Sequence, residues 1–182
     1  MAIERWQIDP SHSGIYFSVR HLVIAKVRGT FARWNGAIDV PEGDLARGSV
    51  QVVIDASSIE TGVGDRDAHL KSPDFFDVAQ FPELTFTATG LALDGPVDAT
   101  LVGQLTIKGV TKPVTLKVER HGQAKDPWGN ERIAFSAKAS LDRLDFGLTW
   151  NQALETGGVL VGDRVELEVE VEAVRQSAAK VA

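Results

Sequence analysis

Apolar and polar residues alternate one for one through almost all of this chain, and one stretch, residues 59–82, breaks the alternation. Val165, Leu167, Val169 and Val171 interleave with Glu166, Glu168, Glu170 and Glu172; Val114, Leu116 and Val118 interleave with Thr115, Lys117 and Glu119. Side chains along a strand point to opposite faces in turn, so the pattern gives each strand one apolar face and one wet face. A sheet that is apolar on a single face must close on itself or pack against another layer.

Strands are expected over residues 5–9, 14–21, 26–40, 47–54, 84–93, 97–108, 114–121, 132–141 and 161–174. Turn chemistry separates most of them: Pro41-Glu42-Gly43-Asp44, Asp94-Gly95-Pro96, a longer turn from Lys108 to Pro113, and Asp126-Pro127-Trp128-Gly129-Asn130. Meander order with short loops predicts a sandwich or an up-and-down barrel. The 182 residues fit one domain, 1–182, with a frayed tail over 176–182.

Within the exceptional stretch, Gly62 and Gly64 permit unusual backbone angles. Residues 65–71 read as about two helical turns, with Asp65 either capping the helix or touching His69 at i, i+4. Arg66 and Asp67 are expected to tie this loop to the rim of the sheet. Ser72 followed by Pro73 is a helix-start signal, which puts Phe75 and Phe76 on a second short turn. Two such stubs make a plug for one end.

Composition excludes several classes. Cysteine is absent, which removes disulfides and thiolate chemistry. A net charge of −6 lacks the basic footprint of a general nucleic-acid binder. No apolar run approaches the ~18 residues of a spanning helix. No signal-peptide pattern can be fitted to Met1-Ala2-Ile3-Glu4-Arg5-Trp6, so a cytoplasmic chain is expected.

No phosphate-cradling, zinc-protease or nucleophile-elbow motif occurs. The best enzyme-like cluster is Asp65, Asp67, His69 and Ser72, where a His–carboxylate pair could orient a base. A metal there would need a further ligand such as His12 or His21. No catalytic residue and no metal ligand is assigned.

The inward positions mix bulk (Phe17, Phe31, Phe86, Leu101, Leu105, Leu116, Phe135) with Ala88, Ala99, Gly103, Ala137 and Ala139. Small residues there leave volume for a ligand, or they ease bends in long strands. No acidic residue lies between Asp9 and Asp39, while Arg20, Lys26, Arg28 and Arg33 do. These cations either attract an anionic head group or pair with carboxylates on neighbouring strands.

Several runs carry a family resemblance: Trp6-Gln7-Ile8-Asp9-Pro10-Ser11-His12-Ser13, Val19-Arg20-His21, Arg66-Asp67-Ala68-His69-Leu70-Lys71-Ser72-Pro73-Asp74-Phe75-Phe76-Asp77, Phe81-Pro82-Glu83-Leu84-Thr85-Phe86, the run from Gly103 to Val114, and Asp142-Arg143-Leu144-Asp145-Phe146-Gly147. In this order and spacing the sequence resembles the YceI-like family of lipid-binding proteins. The resemblance implies an all-β fold, an extended antiparallel eight-stranded lipocalin-like β-barrel with one or two short helices plugging one end. It also implies an apolar tunnel holding a polyisoprenoid, such as a polyprenyl phosphate or isoprenoid quinone, or another long-chain amphiphile, bound without turnover.

On that reading Phe17, Val19, Phe31, Leu84, Phe86, Leu101, Gly103, Leu105, Leu116 and Phe135 are expected to wall the tunnel. Arg20, His21, Arg66 and His69 are the candidates for its polar end. The lipid itself is the expected ligand, with no other cofactor. A homodimer is compatible with the resemblance, since some members are dimeric. Many members are exported, and this chain departs from them in lacking a signal. The rival is a lipid hydrolase or isomerase using His69 with Asp65 or Asp67; a filled barrel acting as an interaction module is a third reading.

Overall fold

A computed structural model describes residues 2–177. Its strands are β1 (Ile3–Ile8), β2 (Gly14–His21), β3 (Ala25–Phe31), β4 (Trp34–Pro41), β5 (Ser49–Asp55) and β6 (Ile59–Glu60). After helix α1 (Gly64–Lys71) come β7 (Glu83–Thr89), β8 (Ala92–Leu93), β9 (Asp98–Ile107), β10 (Val110–Lys125), β11 (Glu131–Asp142) and β12 (Val161–Arg175).

Six of these strands are halves of three bent staves. β1 pairs with β4 while β2, its continuation, pairs with β3; β4 in turn pairs with β5 while β3 touches β6. From β5 the sheet passes through β7, β9, β10 and β11 to β12, each antiparallel to the last. β12 then returns to both halves of the first stave, pairing Ile8 with Ala173 and Phe17 with Leu167. The result is a closed antiparallel barrel of eight staves. Closure is what removes the edge that a one-sided sheet would otherwise expose.

The bends have local chemical causes. Asp9 accepts from the Ser11 backbone N–H at 3.0 Å and caps a single 3-10 turn, Pro10–His12, between β1 and β2. Asp55 does the same for Ser57 at 2.9 Å, between β5 and β6. An Asx cap offers the backbone a local partner in place of the ladder, so the strand turns there. The expected continuous strand over 26–40 is interrupted for a related reason. Ala32 N–H donates to the Ser58 carbonyl, and the Arg33 guanidinium reaches Asp55 and Ser57. That stave follows its neighbour around the corner.

Two turns differ from expectation. The turn from Lys108 to Pro113 shrinks to Lys108 and Gly109, both at positive φ (50° and 75°), and β10 runs straight through Pro113. Proline is tolerated there because residues 110–116 pair with β9 alone; β11 joins only from Lys117. Ser72 does not start a second helix. It closes α1, its N–H and its hydroxyl both donating to the His69 carbonyl, and residues 73–76 form turns. The expected Asp65 cap is also absent: Asp67 instead accepts from the Thr61 N–H and hydroxyl, and Arg66 donates to the Thr61 hydroxyl and carbonyl. Thr61 follows β6 directly, so Arg66 and Asp67 do tie the helix to the rim. Of the expected frayed tail, Gln176 is bonded to the Arg5 carbonyl, and 178–182 lie outside the described residues.

The apolar packing falls into two clusters. The larger runs along the barrel from the α1 end, where Phe31, Ile59, Leu84, Ile107 and Phe146 pack, as far as Leu116 and Val118; Phe76 from the turn after α1 sits edge-on to Phe31. The other cluster, Trp6, Ile8, Val40, Ile133 and Ala173, sits toward the far end, where Arg175 stands over the Trp6 ring.

Candidate functional site: an apolar cavity inside the barrel

Side chains of both clusters surround a cavity of about 200 Å³ in the barrel interior. A single buried water needs ~10–15 Å³ of such space, so the void is far larger than a packing defect. Its walls come from all parts of the ring: Ile8, Ile38, Val52, Phe86, Leu101, Leu105, Leu116, Phe135, Leu167 and Val171 are representative. Among the described residues lining it, Ser49 alone has a polar side chain. Leu45, Gly48, Ser49, Val50 and Leu91 line it at the end away from α1; Ile54, Leu105 and Val114 line it toward α1. Such a wall offers dispersion contacts and no orienting charge, which suits a hydrocarbon tail.

Five of the ten expected wall residues line this cavity: Phe86, Leu101, Leu105, Leu116 and Phe135. Phe31 and Leu84 are buried and Phe17 half-buried in the cluster at the α1 end, where they help close the barrel. Val19 is half-buried further out on β2. Gly103 is buried without facing the void, because the Phe86 ring lies over it. Its small size serves a close aromatic approach, while Ala137 leaves free volume.

The four polar candidates do not line the cavity, and no hydrogen bond or ion pair joins Arg20 or His21 to Arg66 or His69 among the described residues. Arg66 is committed to Thr61. His69 Nε2 lies 2.8 Å from Asp74 Oδ2, not on Asp65, and its ring packs edge-on against Phe75 and Trp150. Of the cations between Asp9 and Asp39, Arg33 pairs with Asp55, whereas Arg20, Lys26 and Arg28 have no ion pair among the described residues.

Two arginines that the sequence reading did not single out organise the frame. Arg132 reaches Asp9 (3.1 Å), Asp126 (2.9 Å) and Glu172 (2.6 Å), binding the β1–β2 bend to β11 and β12. Asp9, His12 and Glu172 have the spacing of a metal cluster, but the guanidinium already occupies that seat. Hydrogen bonds from Ser11, His12 and Arg132 hold the Asp9 carboxyl well below the usual range, and Asn130 and Arg132 do so for Asp126. Arg143, only 3% exposed, donates to the carbonyls of Leu148 (2.5 Å), Trp150 (2.9 Å), Val161 (3.3 Å) and Gly162 (2.9 Å). It fastens the long loop before β12 across the α1 end. Burial pulls its pKa down, opposed by Asp163 and Asp142.

A closed eight-stave meander barrel, plugged at one end and hollow along its middle, defines a small-ligand barrel of the lipocalin-like kind. The chain belongs to the YceI-like family, whose domain model matches residues 6–173. It is 36% identical to Protein YceI of Salmonella newport over 168 residues, covering 92% of this chain and 84% of that protein. Among solved structures, Campylobacter jejuni YCEI protein matches with a TM-score of 0.74 and 32% identity, over 87% of this chain and 90% of the other. BcnA of Burkholderia cenocepacia shares the fold (TM-score 0.79, 22% identity, 91% and 98% covered). So does a polyisoprenoid binding domain from Saccharophagus degradans (TM-score 0.67, 17% identity, 94% and 98% covered).

Proposed function

We propose that this protein binds one long-chain amphiphile, a polyisoprenoid such as a polyprenyl phosphate or an isoprenoid quinone, and carries or sequesters it without turnover. The observation that carries the reading is the void itself: apolar side chains from all eight staves and one hydroxyl. Each CH₂ taken from water contributes ~0.8 kcal/mol, so one five-carbon isoprene unit brings up to roughly 4 kcal/mol before the chain's lost freedom is subtracted. Membership of the YceI-like family, and a fold shared with a domain described as polyisoprenoid binding, support the ligand class.

Hydrolysis or isomerisation by His69 is the weaker reading. That imidazole is engaged with Asp74 and two aromatic rings and does not line the cavity. Native mass spectrometry of protein purified from its own host, followed by extraction and identification of what co-purifies, tests the proposal. A stoichiometric isoprenoid is the expected result; an empty protein that also fails to take up polyprenol or quinone would overturn it.

A further inference from the structure

The β2–β3 hairpin runs past β6 at the α1 end of the barrel, with the start of β12 beside β2 and no further strand beside β3 among the described residues. β3 pairs with β6 only at Thr30 and Phe31, so residues 25–29 have a strand neighbour on one side alone. At ~3.3 Å per residue the hairpin runs about 20 Å beyond that last contact. Its turn is Leu22-Val23-Ile24, closed by His21 opposite Ala25. These three consecutive apolar side chains are 39%, 71% and 82% exposed. Leu22 N–H donates to the Leu160 carbonyl, which brings exposed Val159 to the same site.

Three costs converge on this tip. Leu22 and Val23 both hold positive φ (55° and 65°), a left-handed conformation that bulky and β-branched residues resist and that Asn-Gly would adopt readily. Large apolar surface faces water. Arg20 and Lys26 stand directly opposite one another, with Arg28 two residues on along the same outward face, and none of the three has an ion pair among the described residues. Like charges opposed across a ladder destabilise it. The two carboxylates of β12 nearest these cations are engaged elsewhere: Glu166 faces Arg164 and Asp163 faces Arg143.

One environment offsets the two surface costs, an interface with hydrocarbon below it and negative charge above. We propose that the β2–β3 hairpin docks on an anionic lipid surface, Leu22, Val23 and Ile24 entering the acyl boundary while Arg20, Lys26 and Arg28 meet the head groups. Docking there sets the plugged end of the barrel, with α1 and the loop held by Arg143, against the membrane. The inference stands on the outer surface and does not depend on what the cavity holds.

Flotation of the purified chain with phosphatidylcholine vesicles, with and without phosphatidylglycerol, tests it. The protein is expected to float with the anionic vesicles and to be released by salt. Ile24→Asp should weaken binding by about tenfold or more, and each of Arg20→Gln, Lys26→Gln and Arg28→Gln by about fivefold. The double variant Leu22→Asn, Val23→Gly separates docking from folding: relief of the turn should raise Tm while vesicle binding is lost. Flotation unchanged in that variant would overturn the proposal. So would sedimentation showing that the wild type is a dimer which Ile24→Asp dissociates, with no vesicle binding by either, since the tip would then belong to a second copy. A protein that retains cavity lipid yet ignores vesicles removes docking and spares the binding reading; one that floats yet never takes up lipid does the reverse.

Discussion

The Phe86 ring lies across Gly103, occupying the place where any other residue would put its β-carbon. The two sit on adjacent strands, where Phe86 pairs with Leu105 and Ala88 with Gly103, so the ring leans two pairs along the ladder. Phe86 lines the cavity on its other side. A side chain at Gly103 can therefore be accommodated only by pushing that ring inward.

Gly103→Leu is expected to fold at a cost of ~1–3 kcal/mol, typical of overpacking, and to lose most of its lipid. Lipid per protein after extraction, set beside a thermal melt, checks both halves. Full lipid content in a folded variant would place the tail somewhere other than this void.

Arg143→Met keeps the side chain's bulk and removes the donors to four carbonyls. Stability should fall by about 3 kcal/mol, lowering Tm by roughly 6–12 °C for a chain of this size. Faster amide exchange should be confined first to residues 148–161. A melt indistinguishable from wild type would show that the loop is held by something else.

Acid should unfold the protein through Asp9 and Asp126. Both carboxyls titrate below the ordinary value of 3.8 in the native state, Asp9 chiefly through Ser11 and His12, Asp126 chiefly through Asn130. A depressed native pKa contributes its full stability above the unfolded value and loses it as pH falls through the native one. Tm should hold steady above pH 3.8 as far as these two groups are concerned, then drop. In Arg132→Met the drop should be shallower, from a lower starting Tm, because one contribution to both shifts is gone. Identical acid profiles in the two proteins would remove Arg132 from that account.

His69→Ala should leave lipid content unchanged and cost ~1–2 kcal/mol, from the lost contact with Asp74 and the lost edge-on packing on Phe75 and Trp150. Loss of a lipid-converting activity in that variant, with lipid still bound, would revive the enzymatic reading.

Much of the frame was legible in the one-dimensional pattern. Alternation marked the long strands to within a few residues, as with Val161–Arg175 against an expected 161–174. It also marked Leu101, Leu105, Leu116 and Phe135 as inward, and all four line the cavity. Parity says which face a side chain takes and is silent about how far along the tube the packing stops. Phe31 and Leu84 have the same inward sense and belong to the same apolar cluster as Leu105, yet only Leu105 lines the cavity.

What the sequence determined alone is a one-sided antiparallel sheet with a helical interruption, because period-two patterning and turn chemistry act within a few residues of each other. What tertiary structure decided is everything that joins residues far apart. Arg132 meets Asp9 across 123 positions, His69 turns to Asp74 rather than Asp65, and the Gly103 gap is claimed by Phe86. Whether the tube is solid or hollow depends on the radius at which eight staves close. That radius is set by strand number and tilt together, and no single strand contains it.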